Sequence, residues 1–465
     1  MIDDLRAAFS GRVLTHADDV APFLTDWRKL WTGKALAVAQ PDTPQDVAKA
    51  VKWCAARGVP IVPQGGNTGM SGGAAPDGGG TAIVLSLARL NKIRHVDPVG
   101  NTLTLDAGCI LSHVQETAAA HDRHFPLSLA AEGSCTIGGN LATNAGGTAV
   151  LRYGNARDLC LGLEVVTADG EIWDGLRGLR KDNTGYDLRD LFIGSEGTLG
   201  IITGAVLKLF PKPAAKVTAV LAVESPAAAL ALFAKARAGL DTGLTAFELF
   251  SDACLALVLD HFPAARRPVE SRSPWYVLME LTDMNSEAAA RGALQALLES
   301  AFEDGLVTDG AIAGSIAQSR AFWALRENIA EAQGAVGKTI KHDISVPIWR
   351  IADFVAEADA AVAAAYPDFR FVTFGHLGDG NLHYNFSPAP GADQAAFYAE
   401  QDRLNRITHD LVRKHGGSIS AEHGLGVLRR DEADRFRSDV ERRMMRAIKA
   451  ALDPRGLMNP GKVLP

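Results

Sequence analysis

Four residues in the last quarter of the sequence have side chains that bind metals and move protons. His376 and His383 stand at either end of a Gly-Asp-Gly turn, which can bring the two imidazoles together. Glu422 would complete a set of two histidines and one carboxylate, and such a set leaves a coordination position open, as catalytic metal sites do. A histidine pair alone is more often structural, but the adjacent Glu422-His423 dipeptide and the flanking glycines favour a catalytic site. Asp379, inside the turn, is either a fourth ligand or, as is commoner for such an aspartate, a turn former.

Glycine is unusually frequent and clustered in the first half of the chain. The 465 residues include 46 Gly, about a tenth of the chain against an average of about 7%. The clusters lie at residues 63–73, 133–147 and 194–202. Glycine permits positive φ, and the N–H groups of such loops can converge on an anion without help from Lys or Arg. Three clusters in one half favour a large ligand over three unrelated turns.

The order of the elements around the first cluster argues against the commonest dinucleotide-binding fold. A helix is predicted over residues 44–57, with Thr43 as N-cap, Asp46 in the capping-box position and Gly58 as terminator. A strand over residues 59–63 then leads directly into the glycines. This order of helix, strand and glycine loop is the reverse of a Rossmann fingerprint, so that reading is disfavoured.

The remaining elements predict two α+β regions that meet near Pro213. Ahead of it, strands are expected at residues 81–85, 103–107 and 163–167, the last followed by a hairpin turn at Asp169-Gly170. Beyond it, amphipathic helices alternate with strands. The helices are expected at residues 226–239, 287–303, 315–335 and 352–365, and two of the strands at 275–281 and 369–374.

Composition excludes several classes of partner and site. The net charge of -7 and the lack of Lys or Arg runs argue against a nucleic-acid partner. Five cysteines without a C-x-x-C spacing suggest neither a disulfide framework nor a thiolate zinc site. The N-terminus has no basic region followed by an apolar stretch, and Glu224 and Pro226 interrupt the best apolar segment. We therefore expect a soluble cytoplasmic protein.

These motifs, in this order, resemble those of a known flavoprotein family. The resemblance runs from Pro63-Gln-Gly-Gly-Asn-Thr-Gly69 to Asn459-Pro-Gly-Lys462. The family comprises flavin-dependent dehydrogenases of the vanillyl-alcohol oxidase superfamily, in the branch that holds D-2-hydroxyglutarate and D-lactate dehydrogenases. It implies an α+β fold with a PCMH-type FAD-binding domain of two α+β subdomains. The implied bounds are 1–213 for the FAD-binding domain, 214–425 for a substrate cap domain with an antiparallel sheet and the metal site, and 426–465 for a C-terminal segment that returns to the FAD domain.

FAD is the cofactor that the resemblance implies. The first loop would wrap its pyrophosphate, the second would follow the flavin and ribityl chain, and the third would contact the adenine side. Relatives with covalent flavin commonly carry a His in the first loop, where this chain has Asn67 and neither His nor Cys, so non-covalent FAD is expected. The residues assigned to FAD are Pro63, Gln64, Gly65, Gly66, Asn67, Thr68, Gly69, Met70, Ser71, Gly133, Ser134, Cys135, Ile137, Gly138, Gly139, Asn140, Thr143, Asn144, Gly146, Gly147, Tyr153, Glu196, Gly197, Gly200, Ile201, Ile202 and Lys462.

The resemblance also implies a metal and a base for oxidising a D-2-hydroxyacid. His376, His383 and Glu422 match the family's ligands for a divalent metal, expected to be zinc, although manganese or cobalt also suits this set. The metal would lower the pKa of the substrate hydroxyl. His423 would then take the hydroxyl proton while the Cα hydride passes to flavin N5.

Substrate specificity depends on a departure from the family pattern. The 2-hydroxyglutarate enzymes carry a hydroxyl side chain four residues after the substrate-binding Arg, whereas this chain has Ala330, which cannot donate. A dicarboxylate would lose that contact unless Lys338 or His342 replaces it. D-2-hydroxyglutarate, D-malate and D-lactate therefore stay open as substrates. The residues assigned to the substrate carboxylate are Arg326, Lys341 and Asn385.

The electron acceptor and two rival functions complete the expectations. The family passes electrons to an electron-transfer flavoprotein or a quinone. One rival is a flavin-binding subunit of a glycolate-oxidase-like complex without its own activity, against which the intact metal and base residues weigh. The other is a flavin oxidase that uses oxygen. The oligomeric state is not legible in the sequence, and a homodimer is among the options.

Overall fold

The computed structural model describes residues 2–465, and their packing divides the chain into two compact units. Unit 1 holds the chain up to Gly146, then Gly154–Lys212 and Glu422–Pro465. Unit 2 holds Gly147–Tyr153 and Pro213–Ala421. The predicted domain bounds stay a prediction, and the packing differs from them by a few residues near Glu422 and by the short segment Gly147–Tyr153.

The first glycine cluster begins at the end of a strand in the first sheet of unit 1. The sheet is mixed, because its first two strands pair antiparallel and the other pairs are parallel. Helix Pro44–Arg57 links two of its strands, and it begins and ends as predicted: Thr43 accepts a hydrogen bond from the Asp46 N–H, and Gly58 has φ 65°. In spatial order the strands are Arg12–Leu14, Ala37–Gln40, Ile83–Ser86 and Ile61–Gln64.

The second sheet of unit 1 carries the third glycine cluster. All its neighbouring strands pair antiparallel, and the predicted hairpin at Asp169-Gly170 joins the last two. In spatial order the strands are Ile93–Asp97, Thr102–Asp106, Ile201–Lys208, Cys160–Val166 and Ile172–Gly175, and Phe210–Pro211 pairs separately with Arg123–His124. The helices of unit 1 in the described chain are Ile2–Ala8, Ala17–Val20, Ala21–Phe23 (3₁₀), Pro44–Arg57, Leu111–Ala120, Ile137–Ala142, Arg189–Phe192, Arg430–Phe436 and Asp439–Leu452.

Unit 2 is built on a seven-stranded antiparallel sheet. Its core joins the sheet to the helices through buried side chains that include Phe250, Tyr276, Phe322 and Phe374. In spatial order the strands are Asp309–Ile312, Ala215–Val223, Trp275–Asp283, Leu244–Ser251, Phe369–Gly375, Asn381–Pro388 and Ile344–Ser345. The helices are Val150–Tyr153, Pro226–Leu240, Asp241–Gly243 (3₁₀), Asp252–His261, Glu287–Glu303, Ile316–Glu327, Ile329–Ala335, Ile348–Arg350 (3₁₀), Ile351–Ala365, Gln394–Ala399 and Gln401–Lys414.

The predicted helix over residues 315–335 is wrong in one respect. It is interrupted at Asn328, which ends helix Ile316–Glu327 and begins helix Ile329–Ala335. Asn is a weak helix former because its amide competes with the backbone for hydrogen bonds. Arg326 and Ala330 therefore stand on different helices, the first buried and the second exposed.

Two expectations drawn from composition can be compared with the described residues. The five cysteines, all within residues 2–465, are free and buried. Across the same residues, no helix is both long enough and apolar enough to cross a bilayer.

Candidate active site

All three glycine clusters line one cleft in unit 1, which we call the glycine cleft. Strand Ile61–Gln64 ends at its wall, helix Ile137–Ala142 contributes Gly138, Gly139 and Ala142, and strand Ile201–Lys208 begins there. The lining residues are Pro63, Gln64, Gly65, Gly66, Asn67, Thr68, Gly69, Ser71, Gly73, Ala74, Leu87, Ala107, Thr136, Gly138, Gly139, Ala142, Thr143, Ser195, Glu196, Gly197, Gly200, Ile201, Ile202 and His423.

Close approach between the first two loops explains why glycine is required in this cleft. A Cβ added to Gly65 would collide with Thr136 Oγ1, and one added to Gly66 would collide with the Ser134 carbonyl oxygen. Asn67 follows with φ 53°, a left-handed conformation that Asn adopts more readily than most residues. The two loops therefore pack backbone to backbone.

Three properties of the glycine cleft fit FAD. A Cβ added to Gly69 would meet no atom within 4 Å, so the cleft is open at that position. Thr136 Oγ1 is buried without a hydrogen-bond partner among residues 2–465. The only ionisable side chains in the lining are Glu196 and His423. Backbone N–H groups and neutral side chains would thus have to hold the pyrophosphate, as in other glycine-rich anion sites.

Glu196 fixes the turn that follows His423. Its carboxylate accepts hydrogen bonds from the N–H groups of Leu425 at 2.7 Å and Gly426 at 2.8 Å. A Cβ on Gly424 would lie only 2.8 Å from Glu196 Oε1, so this turn needs glycine to come so close. Burial raises the pKa of Glu196, and the two N–H donors oppose that rise.

Ser71, in the first glycine loop, also holds this turn. Its hydroxyl donates to the carbonyl oxygens of His423 at 3.3 Å and Gly424 at 3.2 Å. The backbone of the predicted base is therefore anchored to loops that line the cleft.

Several residues assigned to FAD do not line the cleft. Asn140 is buried and donates to Cys135 Sγ at 3.6 Å, and Tyr153 belongs to unit 2, where it bonds Thr282. Lys462 lies with Nζ 5.5 Å from the Trp31 ring, and burial lowers its pKa to about 8. The assigned residues outside the lining are Met70, Gly133, Ser134, Cys135, Ile137, Asn140, Asn144, Gly146, Gly147, Tyr153 and Lys462.

Other lining residues were missed from the sequence. Thr136 stands inside the second glycine cluster, and its hydroxyl was a signal that could have identified it. Gly73, Ala142 and Ser195 also lie inside the three clusters, whereas Ala74, Leu87 and Ala107 belong to no motif.

Unit 2 contains a buried ion cluster, Glu248, Arg326 and His376, which we call the Glu248 cluster. Glu248 is 0% exposed and its two oxygens have different partners. Oε2 accepts from Arg326 Nε at 2.9 Å, and Oε1 bonds His376 Nδ1 at 2.7 Å. Burial alone would raise the pKa of Glu248, but the charges and hydrogen bonds of His376 and Arg326 hold it below its usual value.

The predicted histidine pair comes together within unit 2. Strands Phe369–Gly375 and Asn381–Pro388 pair antiparallel, and the turn between them brings the rings of His376 and His383 to 5.9 Å between centroids. Asp379 accepts from the Asn381 N–H at 3.0 Å, which is what a turn former does, and burial raises its pKa to about 6. Two imidazoles, one of them bonded to a carboxylate through its other nitrogen, are a donor set that fits a metal.

Glu422 and His423 begin the last segment of unit 1, directly after Ala421 of unit 2. The Ala421 N–H donates to the Asp343 carbonyl oxygen at 3.2 Å, and Asp343 Oδ1 accepts from Asn381 Nδ2 at 3.1 Å. Unit 2 thus holds the residue before Glu422 beside the strand that carries His383. Coordination of a metal by Glu422 stays a prediction.

The residues assigned to the substrate lie in unit 2 with different exposure. Arg326 is 7% exposed, with Cζ 4.7 Å from the Phe374 ring centroid, while Lys341 is half-buried. Asn385 is buried, accepting from the His342 N–H at 2.9 Å and donating to Gln333 Oε1 at 3.0 Å. Gln333, unnoticed in the sequence, therefore orients Asn385.

Glu248 was also missed in the sequence. The strand Leu244–Ser251 is buried along almost its whole length. A lone Glu in such an apolar strand was the available signal, since a buried carboxylate needs partners.

Comparisons with known proteins relate both parts of the chain to FAD-linked enzymes. The FAD binding domain model matches residues 35–175, and the model of the C-terminal domain of FAD linked oxidases matches residues 212–463. A D-2-hydroxyglutarate dehydrogenase of Xanthomonas citri pv. viticola is 43% identical over 97% of this chain and 94% of its own length. The mitochondrial D-2-hydroxyglutarate dehydrogenase of Bos taurus is 40% identical over 100% of this chain and 84% of its own.

Solved structures share the fold at low sequence identity. The crystal structure of p-cresol methylhydroxylase aligns with this chain with a TM-score of 0.76 and 18% sequence identity. The alignment covers 99% of this chain and 96% of the other. The 4-ethylphenol oxidase of Gulosibacter chungangensis has a TM-score of 0.74 and 17% identity, covering 100% and 96%. The predicted PCMH-type α+β fold is confirmed.

Proposed function

The chain belongs to the family of FAD-linked oxidases, and from that membership we propose that it oxidises a D-2-hydroxyacid to the 2-oxoacid. It is an FAD-dependent dehydrogenase, like the relatives named above. The observation that carries the proposal is that His423 lines the same cleft as all three glycine clusters. A base that shares a cleft with the flavin can take the substrate proton where the hydride leaves.

The residues of unit 1 hold FAD and position the base. FAD held by these residues would supply the acceptor for the hydride that leaves the substrate Cα. Ser71 and Glu196 hold the backbone around His423, whose imidazole takes the hydroxyl proton. Asn67 donates its side-chain amide to the Thr25 carbonyl oxygen at 2.9 Å and offers no nucleophile for a flavin bond, which supports non-covalent FAD.

His376, His383 and Glu422 are proposed to hold a divalent metal, with zinc expected. A metal there would lower the pKa of the substrate hydroxyl and orient it. The bond between His376 Nδ1 and Glu248 supports this proposal, because a ligating histidine typically gives its other nitrogen to a carboxylate.

Arg326, Lys341 and Asn385 are proposed to hold the substrate carboxylate. Arg326 is the strongest of the three, because a guanidinium can bind a carboxylate through two parallel hydrogen bonds. The relatives named above are D-2-hydroxyglutarate dehydrogenases, which puts that acid first. Ala330 is exposed and has no donor for a second carboxylate, so D-lactate, which has only one carboxylate, is an alternative. D-malate is a further alternative and, like D-2-hydroxyglutarate, would need Lys338 or His342 to supply the second contact.

An electron-transfer flavoprotein or a quinone is the proposed acceptor, since the relatives are named dehydrogenases. The cytoplasm remains the proposed location, supported by five free, buried cysteines.

An anaerobic absorbance scan of the purified protein with D- and L-hydroxyacids tests this function. D-2-hydroxyglutarate, D-lactate or D-malate should bleach the flavin, and the L-enantiomers should not. Rates for the three acids would rank them, and a flat profile would argue against a dedicated second-carboxylate pocket. Failure of every D-acid to bleach the flavin would favour a non-catalytic flavin subunit, and peroxide formation at turnover rates would favour an oxidase.

A further inference from the structure

We propose that Glu248 is a positioning residue that prepares His376 for a metal and Arg326 for the substrate carboxylate at the same time. The proposal rests on the proposed function and deepens it, because it joins two subsites through one side chain. Neither sequence motif contains Glu248, which lies more than seventy positions before both partners.

The position of Glu248 is costly unless both partners are present. The residue lies on strand Leu244–Ser251, where its neighbours Phe247 and Leu249 are also buried, and its side chain is 0% exposed. A buried carboxylate without partners is strongly destabilising. Each oxygen has its own partner, Arg326 on Oε2 and His376 on Oε1, so neither contact can replace the other.

The contact with His376 selects the tautomer of its ring. An ionised carboxylate can only accept hydrogen bonds, so Nδ1 must carry the hydrogen in the 2.7 Å contact with Glu248. In a neutral imidazole the lone pair is then on Nε2, which is the form that ligates a metal. Glu248 therefore prepares the ring before any ion binds.

The contact with Arg326 fixes the plane of its guanidinium. Nε donates to Glu248 Oε2 at 2.9 Å, and Cζ lies 4.7 Å from the centroid of the Phe374 ring. These two contacts direct the Nη edge, which is the edge that would take a substrate carboxylate. Because one carboxylate holds both groups, a change at Glu248 must disturb metal affinity and substrate affinity together.

Glu248→Gln separates this role from bulk and burial. Glutamine keeps the size of the side chain but has one acceptor oxygen and an NH2 group, so it cannot accept from both Arg326 and His376. Glu280→Gln is the matched control. Glu280 lies on the adjacent strand Trp275–Asp283 and accepts from Trp323 Nε1 at 3.0 Å, outside the proposed machinery.

Two readouts are needed, and only one of them is activity. Cobalt titration of the metal-stripped protein, followed by its d–d absorbance, gives metal affinity, and steady-state kinetics with D-2-hydroxyglutarate or the preferred acid give KM. Glu248→Gln should weaken cobalt binding roughly 10- to 100-fold and raise KM at saturating metal, with FAD content unchanged. Glu280→Gln should keep wild-type values of both.

The outcomes separate this proposal from the proposed function. If the wild-type protein binds no metal and no D-acid bleaches its flavin, the proposed function fails. If the wild type does both, wild-type cobalt affinity and KM in Glu248→Gln overturn the positioning role, and a change confined to one readout overturns the link between the subsites. Glu248→Asp serves the same test if the Gln variant does not fold: its shorter side chain cannot reach both partners, so wild-type values would again contradict the role.

Discussion

The glycine cleft of unit 1 and the Glu248 cluster of unit 2 are built from opposite kinds of groups. The cleft is lined by backbone and neutral side chains, and Glu196 and His423 are its ionisable members. The cluster is made of ionisable side chains at 0–7% exposure, with Arg326 and His376 each bonded to one oxygen of Glu248. A large cofactor can be bound by the shape of a cleft and by backbone N–H groups, whereas a small acid needs a few charged side chains close together.

This contrast explains how a protein with a negative net charge can bind a negatively charged substrate. With a net charge of -7, the protein does not attract a carboxylate through its overall field. Arg326 is instead buried with its charge balanced by Glu248, where electrostatic interactions are less screened than in water. Changes in the glycine loops of the cleft should therefore act on flavin binding, whereas changes at His423 and in unit 2 should act on chemistry or on pH dependence.

The largest effect is expected at His423, where the cleft itself supplies the base. His423→Ala should slow flavin reduction by roughly 10²- to 10⁴-fold, because that is the usual contribution of a positioned base. Bound FAD should be unchanged, since the loops that line the cleft remain. Anaerobic stopped-flow bleaching measures the rate, with His121→Ala, an exposed histidine of unit 1, as control. A normal rate in His423→Ala would remove it from the base role.

A half-buried acid, Asp359, makes the stability of unit 2 depend on pH. Asp359 accepts from the Tyr384 hydroxyl at 2.7 Å, and burial raises its pKa from 3.8 to about 6. Its contribution to stability is present below about pH 4 and lost as the pH rises through about 6, a change of about 3 kcal/mol. The free energy of unfolding, measured with denaturant at each pH, should therefore fall less in Asp359→Asn than in the wild type between about pH 4 and 6. Parallel curves for both proteins would contradict this.

Filling the glycine cleft should weaken FAD without unfolding the protein. A methyl group on Gly69 meets no protein atom within 4 Å, so Gly69→Ala should leave the melting temperature of the apoprotein unchanged. Overpacking against a bound ligand costs about 1–3 kcal/mol, which corresponds to roughly 10- to 100-fold weaker FAD binding. Fluorescence titration of the apoprotein measures it. Unchanged affinity would show that Gly69 does not face the cofactor.

The smallest effect is expected at Gly292, an exposed position to which no part of the proposed chemistry is assigned. It lies exposed within helix Glu287–Glu303, and a Cβ there meets nothing within 4 Å. Gly292→Ala should stabilise the protein by about 0.5–1 kcal/mol, since Ala is the better helix former. FAD affinity should match the wild type, which makes this variant the control for Gly69→Ala. Weakened FAD binding would break the separation between the two regions.

Predictability from the sequence follows the same division. Helix Pro44–Arg57 and the hairpin at Asp169-Gly170 were legible because their caps and turn residues are local signals. The three glycine clusters were legible because glycine marks close backbone approach. The break at Asn328 was not, since a single weak helix former inside an apolar periodic stretch rarely ends a helix.

Partners distant in sequence could not be predicted. Glu248 contacts Arg326 and His376, and Glu196 contacts the turn at Leu425. These pairs depend on sheet order and on the return of the last segment to unit 1, neither of which leaves a local pattern. The role of Gln333 could not be predicted for the same reason, because its partner Asn385 is distant in sequence and lies on a strand of the sheet.

Metal removal tests most directly the claim that the glycine loops of unit 1 hold the flavin, while a metal at His376, His383 and Glu422 is needed for the chemistry but not for flavin binding. The holoenzyme would be treated with a chelator, passed through gel filtration, checked for residual metal, and mixed anaerobically with the preferred D-2-hydroxyacid. We predict that the flavin absorbance stays with the protein, that the acid no longer bleaches it, and that added zinc or cobalt restores bleaching. Full bleaching in protein shown to be free of metal would contradict the account, as would loss of FAD together with the metal.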